Sequence, residues 1–490
     1  MTDGERKQKT ARVTPPDALA LPHVVQAIAM CLKNQADFSS FLHAVPRSLW
    51  TPALSAFLDC TTVLPSSVNA NWPRIVLHKM DWPPSVLALL AATLPLRPRI
   101  ELQFAVRDAA PLASLVAALG PALSSVILNF YDSIMIQGRD QAISNLLSQR
   151  CPRLRRVAIS VQSSSEKDAV KFIGLLAVVA HPLVSVSSLY LEGVTTVPRL
   201  GHLLASWLST APATKLRLAN IAQMDHEGAI AFCDTLQANT TLQRLAIDKV
   251  PSLGGFHGRT LPVSLKTLAW ESRPNRVVDD TTLTDLATAV GPTQLERLEC
   301  SAFGQLATCP AAAPMLSQLQ CLMVSWLHAN YMPALIAGLS SVPALTSLYL
   351  CYCDVTSSTE LLMETLATTC VHLETLRVID PQLTRDGVTA LLTGVLQLPL
   401  LTTLDLRMHL LDALHVLPEL VAAGRHLRSL TLMNIGRNNY DHEKRAIYKA
   451  LAQVPDVPFV AYTLPEDMDG SVVDALRRRA DRRYQCYLAL

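Results

Sequence analysis

A short pattern of leucines separated by polar residues recurs along most of the chain. Its clearest form is Leu345-Thr-Ser-Leu348-Tyr-Leu350. Eight consecutive copies with leucine at the first and fourth positions start at Leu242, Leu265, Leu295, Leu319, Leu345, Leu373, Leu401 and Leu427. Leucine occupies both positions by chance in only about 3% of registers, so eight regularly spaced copies indicate a repeat protein.

Looser copies of the same pattern extend the array in both directions. They start at Trp72, Arg97, Leu123, Leu154, Val186, Ala213 and Val454. The steps between copies run from 23 to 32 residues, with a mean of about 27. All fifteen copies carry an apolar residue at the fourth and sixth positions. Because side chains alternate along a strand, the pattern predicts a short strand with one buried face in every copy.

Segments with helical spacing lie between the predicted strands. In 225–238, Asp225 is a plausible N-cap ahead of Ile230, Phe232, Cys233 and Leu236. In 359–369, Leu361, Leu362 and Leu366 lead to Cys370. One strand and one helix cannot bury their apolar faces alone, but stacked repeats can. We therefore expect an α/β leucine-rich-repeat solenoid (a horseshoe) of about 15 units over residues 63–465, with parallel strands on its concave face and helices on its convex face.

Several repeats resemble the intracellular leucine-rich repeats of ribonuclease-inhibitor-like proteins and of F-box/leucine-rich-repeat proteins. The resemblance is carried by Thr369-Cys370-Val371-His372-Leu373, by 383–391 and by Arg150-Cys151-Pro152, and it covers roughly residues 70–460. The ninth position of those repeats is usually Asn or Cys. Here it varies (Cys353, Pro381, His409 and Ile435), so the Asn ladder between neighbouring turns is missing and we expect local irregularity.

The segment before the repeats has a different pattern. Residues 1–16 are polar and are predicted to be a disordered tail. Residues 17–62 predict two or three short amphipathic helices and resemble an F-box, the helical module that docks onto the Skp-type adaptor of cullin ubiquitin ligases. The resemblance implies adaptor contacts through Leu21, Pro22, Ile28, Leu32, Phe38, Phe41, Val45 and Trp50. Pro46 is expected to interrupt the last helix. The alternative is an N-terminal helical cap for the array.

The last segment, 466–490, is predicted to form a basic helix. Its cluster consists of Arg477, Arg478, Arg479, Arg482 and Arg483. Such a cluster is either a localisation signal or acidic-partner patch, or the solvated face of a capping helix.

Composition narrows the class of protein further. Half of the residues are apolar and 17% are charged, which excludes a disordered chain. Leucine accounts for 82 residues, whereas aromatics make up only 5%. The net charge of +2 gives no general drive toward nucleic acid or acidic membranes. The sequence has eleven cysteines but no CxxC pair. It also has no apolar leader and no apolar run near the length of a membrane span. Together these observations favour a cytoplasmic or nuclear protein.

No motif for catalysis was found. The sequence contains no GxxxxGK[ST], HExxH or GxSxG. Cys351-Tyr-Cys353-Asp354 is a lone CxC pair, and we assign it to structure rather than to metal binding. We predict no enzyme activity, no cofactor and no metal. A GTPase activator is built on a related scaffold, but its motif cannot be matched here.

The expected binding surface is the concave wall, formed by the second, third and fifth residues of each copy. The partner-binding candidates are Arg156, Tyr190, Lys215, Arg217, Arg244, Arg297, Tyr349 and Arg377. The basic row Arg156, Lys215, Arg244 and Arg297 could receive an acidic or phosphorylated segment, or it could serve solubility alone. The preferred hypothesis is a substrate-recognition subunit of a Skp/cullin/F-box ubiquitin ligase. The alternative is a stand-alone scaffold that regulates or assembles a protein complex.

Overall fold

The structure is a computed structural model that describes most of the chain. The described residues are 21–32, 35–64, 74–106, 109–130, 139–163, 166–181, 186–194, 197, 199–221, 223–271, 278–380, 382–408, 415–434, 446, 449–450, 452–453, 459–461, 469–472 and 474. The predicted tail 1–16 and the arginines of the predicted C-terminal helix lie outside these residues. The chain divides into two compact units, Met1–Leu189 and Tyr190–Leu490.

The first unit begins with three helices that precede the repeats. They are α1 (Pro22–Cys31), α2 (Gln35–Ala44) and α3 (Pro52–Val63). Pro46 separates α2 from a short 3₁₀ turn, Arg47–Leu49, as expected for a residue that cannot continue a helix. Thr51 caps α3 by accepting a hydrogen bond from the Leu54 amide, and its hydroxyl donates to Gln26 Oε1 of α1 at 2.6 Å. This bond ties the first helix to the start of the third.

The remainder of the first unit alternates parallel strands with helices. The strands are β1 (Arg74–Leu77), β2 (Arg99–Val106), β3 (Leu123–Phe130) and β4 (Arg156–Ser163). The helices are α4 (Pro84–Ala92), α5 (Ala109–Leu119), α6 (Arg139–Arg150) and α7 (Glu166–Val179). Helix α3 packs against α4, the helix of the first repeat. The β2–β3 register shifts at Glu101, which is the kind of local irregularity that the sequence predicts.

The second unit continues the same alternation. After β5 (Ser188–Val194), which spans the boundary, its strands are β6 (Lys215–Ala219), β7 (Arg244–Asp248), β8 (Thr267–Glu271), β9 (Arg297–Cys300), β10 (Cys321–Ser325), β11 (Ser347–Cys351), β12 (Thr375–Ile379), β13 (Thr403–Met408), β14 (Ser429–Asn434) and β15 (Phe459–Ala461). Its helices are α8 (Leu200–Thr210), α9 (His226–Ala238), α10 (Asp280–Val290), α11 (Phe303–Leu306), α12 (Ala313–Leu316), α13 (Met332–Leu339), α14 (Thr359–Thr369), α15 (Arg385–Val395) and α16 (Leu417–His426). Strands β6 to β15 pair in parallel, each with the next.

The repeat pattern accounts for these strands. Thirteen of the fifteen strands begin at the third residue of a predicted copy. From β6 to β14 the fourth residues lie directly opposite one another in register, as in Leu322, Leu348 and Leu376. All three of these leucines are 0% exposed. The predicted leucine-rich-repeat fold is therefore confirmed.

In the second unit, a row of backbone carbonyls joins neighbouring repeats from β6 to β14. The Gln320 carbonyl accepts hydrogen bonds from the Thr346 and Ser347 amides at 2.8 and 3.0 Å. The Thr346 carbonyl then accepts from the Glu374 and Thr375 amides at the same distances. The row continues through the second position of the following copies. It fixes the strand register independently of side chains.

Other bonds occupy the place of the missing Asn ladder. The Cys353 thiol lies 3.4 Å from the Val324 carbonyl, to which it donates. The buried Asp380 carboxylate accepts from the Val355 amide at 3.1 Å and from the Gln382 amide at 2.8 Å. These bonds tie neighbouring turns by a different group in each repeat.

The helices depart from the sequence expectations at two positions. Asp225 caps α9 as predicted, accepting from the Gly228 amide at 2.8 Å. Phe232, Cys233 and Leu236 are buried as the pattern predicts, whereas Ile230 is only half-buried. Leu361, which the pattern assigned to the apolar face of α14, is 51% exposed because Leu362, Met363 and Leu366 fill that face. No helix among the described residues is long and apolar enough to cross a membrane.

The stacked leucines give a direct test of this architecture. Replacing Leu348 by Ala should lower the free energy of unfolding by about 2–5 kcal/mol, because it opens a cavity between two neighbouring repeats. Leu361→Ala on α14 of the same repeat should change it by less than about 0.5 kcal/mol. Urea unfolding followed by circular dichroism measures both, and equal effects would contradict the stacking.

Candidate functional site

The strand face of the second unit is the surface that carries most of the predicted partner residues. We define it as the third-, fifth- and seventh-position side chains of the repeats, which alternate with the buried leucines. Of the candidates, Lys215, Arg217 and Arg244 are exposed, and Tyr190, Arg297, Tyr349 and Arg377 are half-buried. Arg156 belongs to the first unit, where it is exposed.

Tyr349 lies between two arginines on this face. The Arg297 guanidinium carbon is 5.5 Å from the centre of the tyrosine ring, and that of Arg377 is 5.2 Å from it. Both distances fall within the range of cation–π attraction. Arg297 also approaches the Met323 sulfur at 3.6 Å. We name these four residues, Arg297, Met323, Tyr349 and Arg377, the tyrosine cluster.

An ion pair holds one arm of the tyrosine cluster. Arg377 Nε lies 2.6 Å from Asp405 Oδ2, and Arg407 Nη2 lies 3.6 Å from the same oxygen. The Asp405 side chain is only 5% exposed, and neither of its oxygens is aligned for a hydrogen bond with a donor among the described residues. Charge attraction at close range therefore restrains the Arg377 side chain without a well-aligned hydrogen bond.

Tyr190 forms a separate group on β5. Its ring lies 5.1 Å from the Arg217 guanidinium carbon, and its hydroxyl donates to the Glu192 carboxylate. Burial, followed by that bond to Glu192, raises the pKa of Tyr190. The Asn220 amide nitrogen donates to the other Glu192 oxygen at 3.2 Å. The tyrosine therefore stays protonated and is fixed in place.

The predicted basic row is uneven. Lys215 and Arg244 are direct cross-strand partners, but Thr267 separates Arg244 from Arg297. Lys266, at the second position, is paired with Glu296 at 3.0 Å. Among the partner-binding candidates of the second unit, the exposed bases are thus those of β6 and β7, while the arginines of β9 and β12 lie against Tyr349.

Two exposed aromatic side chains were missed by the sequence analysis. Trp326 and Tyr352 stack with their rings 4.3 Å apart and 7° from parallel, and they are 56% and 41% exposed. Both have left-handed backbones, with φ of 59° and 57°. Each is the eighth residue of its copy, and the coincidence of two aromatics at that position in consecutive repeats was the available signal. The eighth residues of two other copies, Asn220 and Lys249, have the same left-handed backbone, so the turn belongs to the repeat and only the bulky side chains are unusual there.

The three N-terminal helices form a second candidate surface. Phe38 is 1% exposed and meets Phe57 edge-on at 5.1 Å, so it belongs to the core of the helices rather than to their surface. Leu21 and Pro22 are exposed, whereas the other predicted adaptor contacts, Ile28, Leu32, Phe41, Val45 and Trp50, are half-buried. A groove of about 650 Å³ runs past Val45 and Trp50.

The Cys351–Cys353 pair lies in the interior, as expected for residues with a structural role. Cys351 and Cys353 are both buried, and burial raises the pKa of the Cys353 thiol to about 12. No group of three or more potential metal ligands occurs within the described part of the chain.

Comparison with known proteins adds little beyond the fold. No family model matches the chain, and no curated protein matches its sequence. The crystal structure of the leucine-rich repeat-containing protein LegL7 from Legionella pneumophila is similar over 61% of this chain and 98% of that one, with 15% identity and a TM-score of 0.38. At that score the match supports no argument about function, and the fold assignment rests on the strand register.

Thiol reactivity tests the structural assignment of the cysteine pair. Cys31 is exposed, whereas Cys353 is buried and rarely deprotonated, so iodoacetamide at pH 8 should label Cys31 far faster. Peptide mass spectrometry over time measures the two rates. In urea the rates should converge, and equal labelling of the folded protein would contradict the assignment.

Proposed function

We propose that the chain is a non-catalytic protein-binding scaffold that captures a partner on the strand face of its second unit. The observation that carries the proposal is the tyrosine cluster. Leucine-rich-repeat proteins present extended strand surfaces to other macromolecules, and such surfaces bind through a few anchor residues. Tyrosine, arginine and methionine are the residue types enriched at protein interfaces.

The restraint on the cluster favours binding. Arg297 and Arg377 hold the Tyr349 ring from two directions, and Asp405 restrains Arg377 in turn. Side chains that are already ordered lose less entropy when a partner covers them. A partner that covers the cluster would also exclude water from the Arg377–Asp405 pair and strengthen it.

The stacked pair of Trp326 and Tyr352 extends the proposed surface. These rings follow strands β10 and β11, which carry Met323 and Tyr349 of the tyrosine cluster. Two large exposed rings cost free energy in water, and a partner that covers them would recover it. The pair therefore favours a contact of one protein with consecutive repeats.

The more specific proposal is that this scaffold is the substrate-recognition subunit of a Skp/cullin/F-box ubiquitin ligase, working in the cytoplasm or nucleus. Helices α1–α3 would bind the Skp-type adaptor through exposed Leu21 and Pro22 and through the groove at Val45 and Trp50. The subunit would contribute proximity between target and ligase rather than bond chemistry.

The alternative is a stand-alone scaffold in which α1–α3 cap the repeat array. The packing of α3 against α4 favours it, because an end repeat needs its apolar side covered. The two proposals share the strand-face partner and differ only in whether the N-terminal helices bind an adaptor.

Partner capture tests the strand face. Tyr349→Ala should reduce recovery of the principal partner at least about tenfold, because the loss of an aromatic anchor typically costs more than 2 kcal/mol of binding. Quantitative mass spectrometry of proteins captured by the full chain measures recovery. Leu361→Ala is the matched control, since Leu361 is exposed on α14 of the same repeat. If both variants recover the same proteins as the unmodified chain, the strand-face proposal is wrong.

Adaptor binding tests the ligase proposal separately. Leu21→Asp should abolish recovery of purified Skp-type adaptor, because it places a charge in the apolar contact. Val63→Asp, a change at a similarly exposed apolar residue at the end of α3, should leave recovery unchanged. Failure of the unmodified chain to bind adaptor would favour the stand-alone scaffold.

A further inference from the structure

Five arginines line one pocket in the first unit, which we name the arginine pocket. It has a volume of about 510 Å³ and lies where β2, β3 and β4 begin. Its arginines, all exposed, are Arg97, Arg99, Arg153, Arg155 and Arg156. This concentration of positive charge was only partly expected, since Arg156 was the one member of the five named as a partner-binding candidate, although Arg99 and Arg155 also hold wall positions of their copies.

The middle strand makes the pocket a trough. Between the arginines of β2 and those of β4, the β3 segment contributes only small side chains to the lining: Ala122, Ser124 and Ser125. Neighbouring strands are about 4.8 Å apart, so the two arginine walls stand about 10 Å from each other across β3. Ser125 lies opposite Arg156 in register, and the Arg155 amide donates to the Ser124 carbonyl at 2.9 Å. Guanidinium groups from both walls can therefore reach one anion above β3.

The charge of the trough is not neutralised from within. Its one acidic lining residue, Glu101, is paired with Arg74, whose Nε lies 3.2 Å from the carboxylate. Among the described residues, no carboxylate lies within 4.0 Å of any of the five guanidinium groups. Arginine stays charged at all physiological pH values, and its planar fork matches the oxygens of a phosphate group.

An apolar groove adjoins the trough. It has a volume of about 530 Å³ and shares Arg97, Ala122 and Arg153 with the arginine pocket. Its other lining residues are Leu94, Pro95, Pro121 and Pro152. A ligand that fills both spaces would carry a strong anion next to an apolar group.

The geometry points to a binding site for a segment of a partner protein that carries phosphoserine or phosphothreonine. The phosphate would sit among the arginines, and a neighbouring apolar side chain would lie against the prolines. The inference rests on the proposed scaffold role only in taking the partner to be a protein, and it does not involve the tyrosine cluster. A nucleic acid fits less well, because none of the described residues lining the trough is aromatic and could stack on a base. Inorganic phosphate would leave the groove unused.

Peptide selection tests the inference. The purified full chain is mixed with a peptide library that has a fixed phosphoserine and random flanking residues, and with the same library unphosphorylated. We expect at least about tenfold greater retention of the phosphorylated library, with apolar residues enriched beside the phosphoserine. Equal retention of the two libraries would overturn the inference, as would tighter binding of a single-stranded RNA oligonucleotide.

Charge variants locate the site. Changing Arg97, Arg153 and Arg155 together to Gln should weaken binding of the best selected peptide at least about tenfold in fluorescence anisotropy. The matched control changes Arg199, Arg385 and Arg425 to Gln, three exposed arginines of the second unit that belong to none of the proposed surfaces. A comparable loss in the control would show diffuse charge attraction and reject the pocket.

Two further measurements remain decisive if the triple variant does not fold. Arg155→Lys keeps the charge but removes the guanidinium fork, so it should weaken peptide binding several-fold, and unchanged binding would contradict paired recognition of phosphate. Millimolar inorganic phosphate should compete only weakly with the selected peptide. Complete displacement at concentrations equal to the peptide's own would mean that the groove contributes nothing.

Discussion

Burial of leucine between adjacent repeats is the interaction on which the rest of this protein depends. A single strand presents its fourth- and sixth-position side chains to the interior, and only the equivalent residues of the strands beside it can cover them. Leu348 between Leu322 and Leu376 illustrates the arrangement. The carbonyl of the second position, which accepts two amides from the next repeat, adds a fixed backbone link to this contact. The register of neighbouring strands therefore depends on the buried leucines and the backbone hydrogen bonds and not on the surface residues.

Because the interior is fixed in this way, the surface residues are free to vary. The strand face of the second unit carries Arg244 and Ala246 on β7, Thr267 and Ala269 on β8, and the tyrosine cluster over β9–β12. In the first unit, small residues on β3 leave space that the flanking arginines surround. The tyrosine cluster and the arginine pocket thus both arise from side chains on three or more consecutive strands that share no sequence motif. In such a fold a binding site is assembled from residues of several repeats, and no single repeat contains it.

The sequence predicted the positions of the strands much better than the candidate binding sites. The leucine spacing located thirteen strand starts, because strand position follows directly from which residues must be buried. Leu361 was misplaced because Leu362, Met363 and Leu366 already fill the buried face of α14, and periodicity alone does not choose among adjacent apolar residues. The Trp326–Tyr352 stack was missed because the leucine pattern ends at the sixth position and says nothing about the side chain at the eighth. The arginine pocket depends on residues 97–99 and 153–156 being neighbours across β3, which only the register reveals.

At Trp326 and Tyr352 the exposed aromatic stack is obtained at the expense of fold stability, because both residues have a left-handed backbone. Glycine adopts a positive φ without steric cost, so replacing Trp326 or Tyr352 by glycine would relieve backbone strain. A laboratory selection for heat resistance alone would therefore tend to erase this aromatic platform one residue at a time. The more heat-resistant variants would fold as well as the parent but would lack the stacked aromatic pair that distinguishes these two repeats from their neighbours.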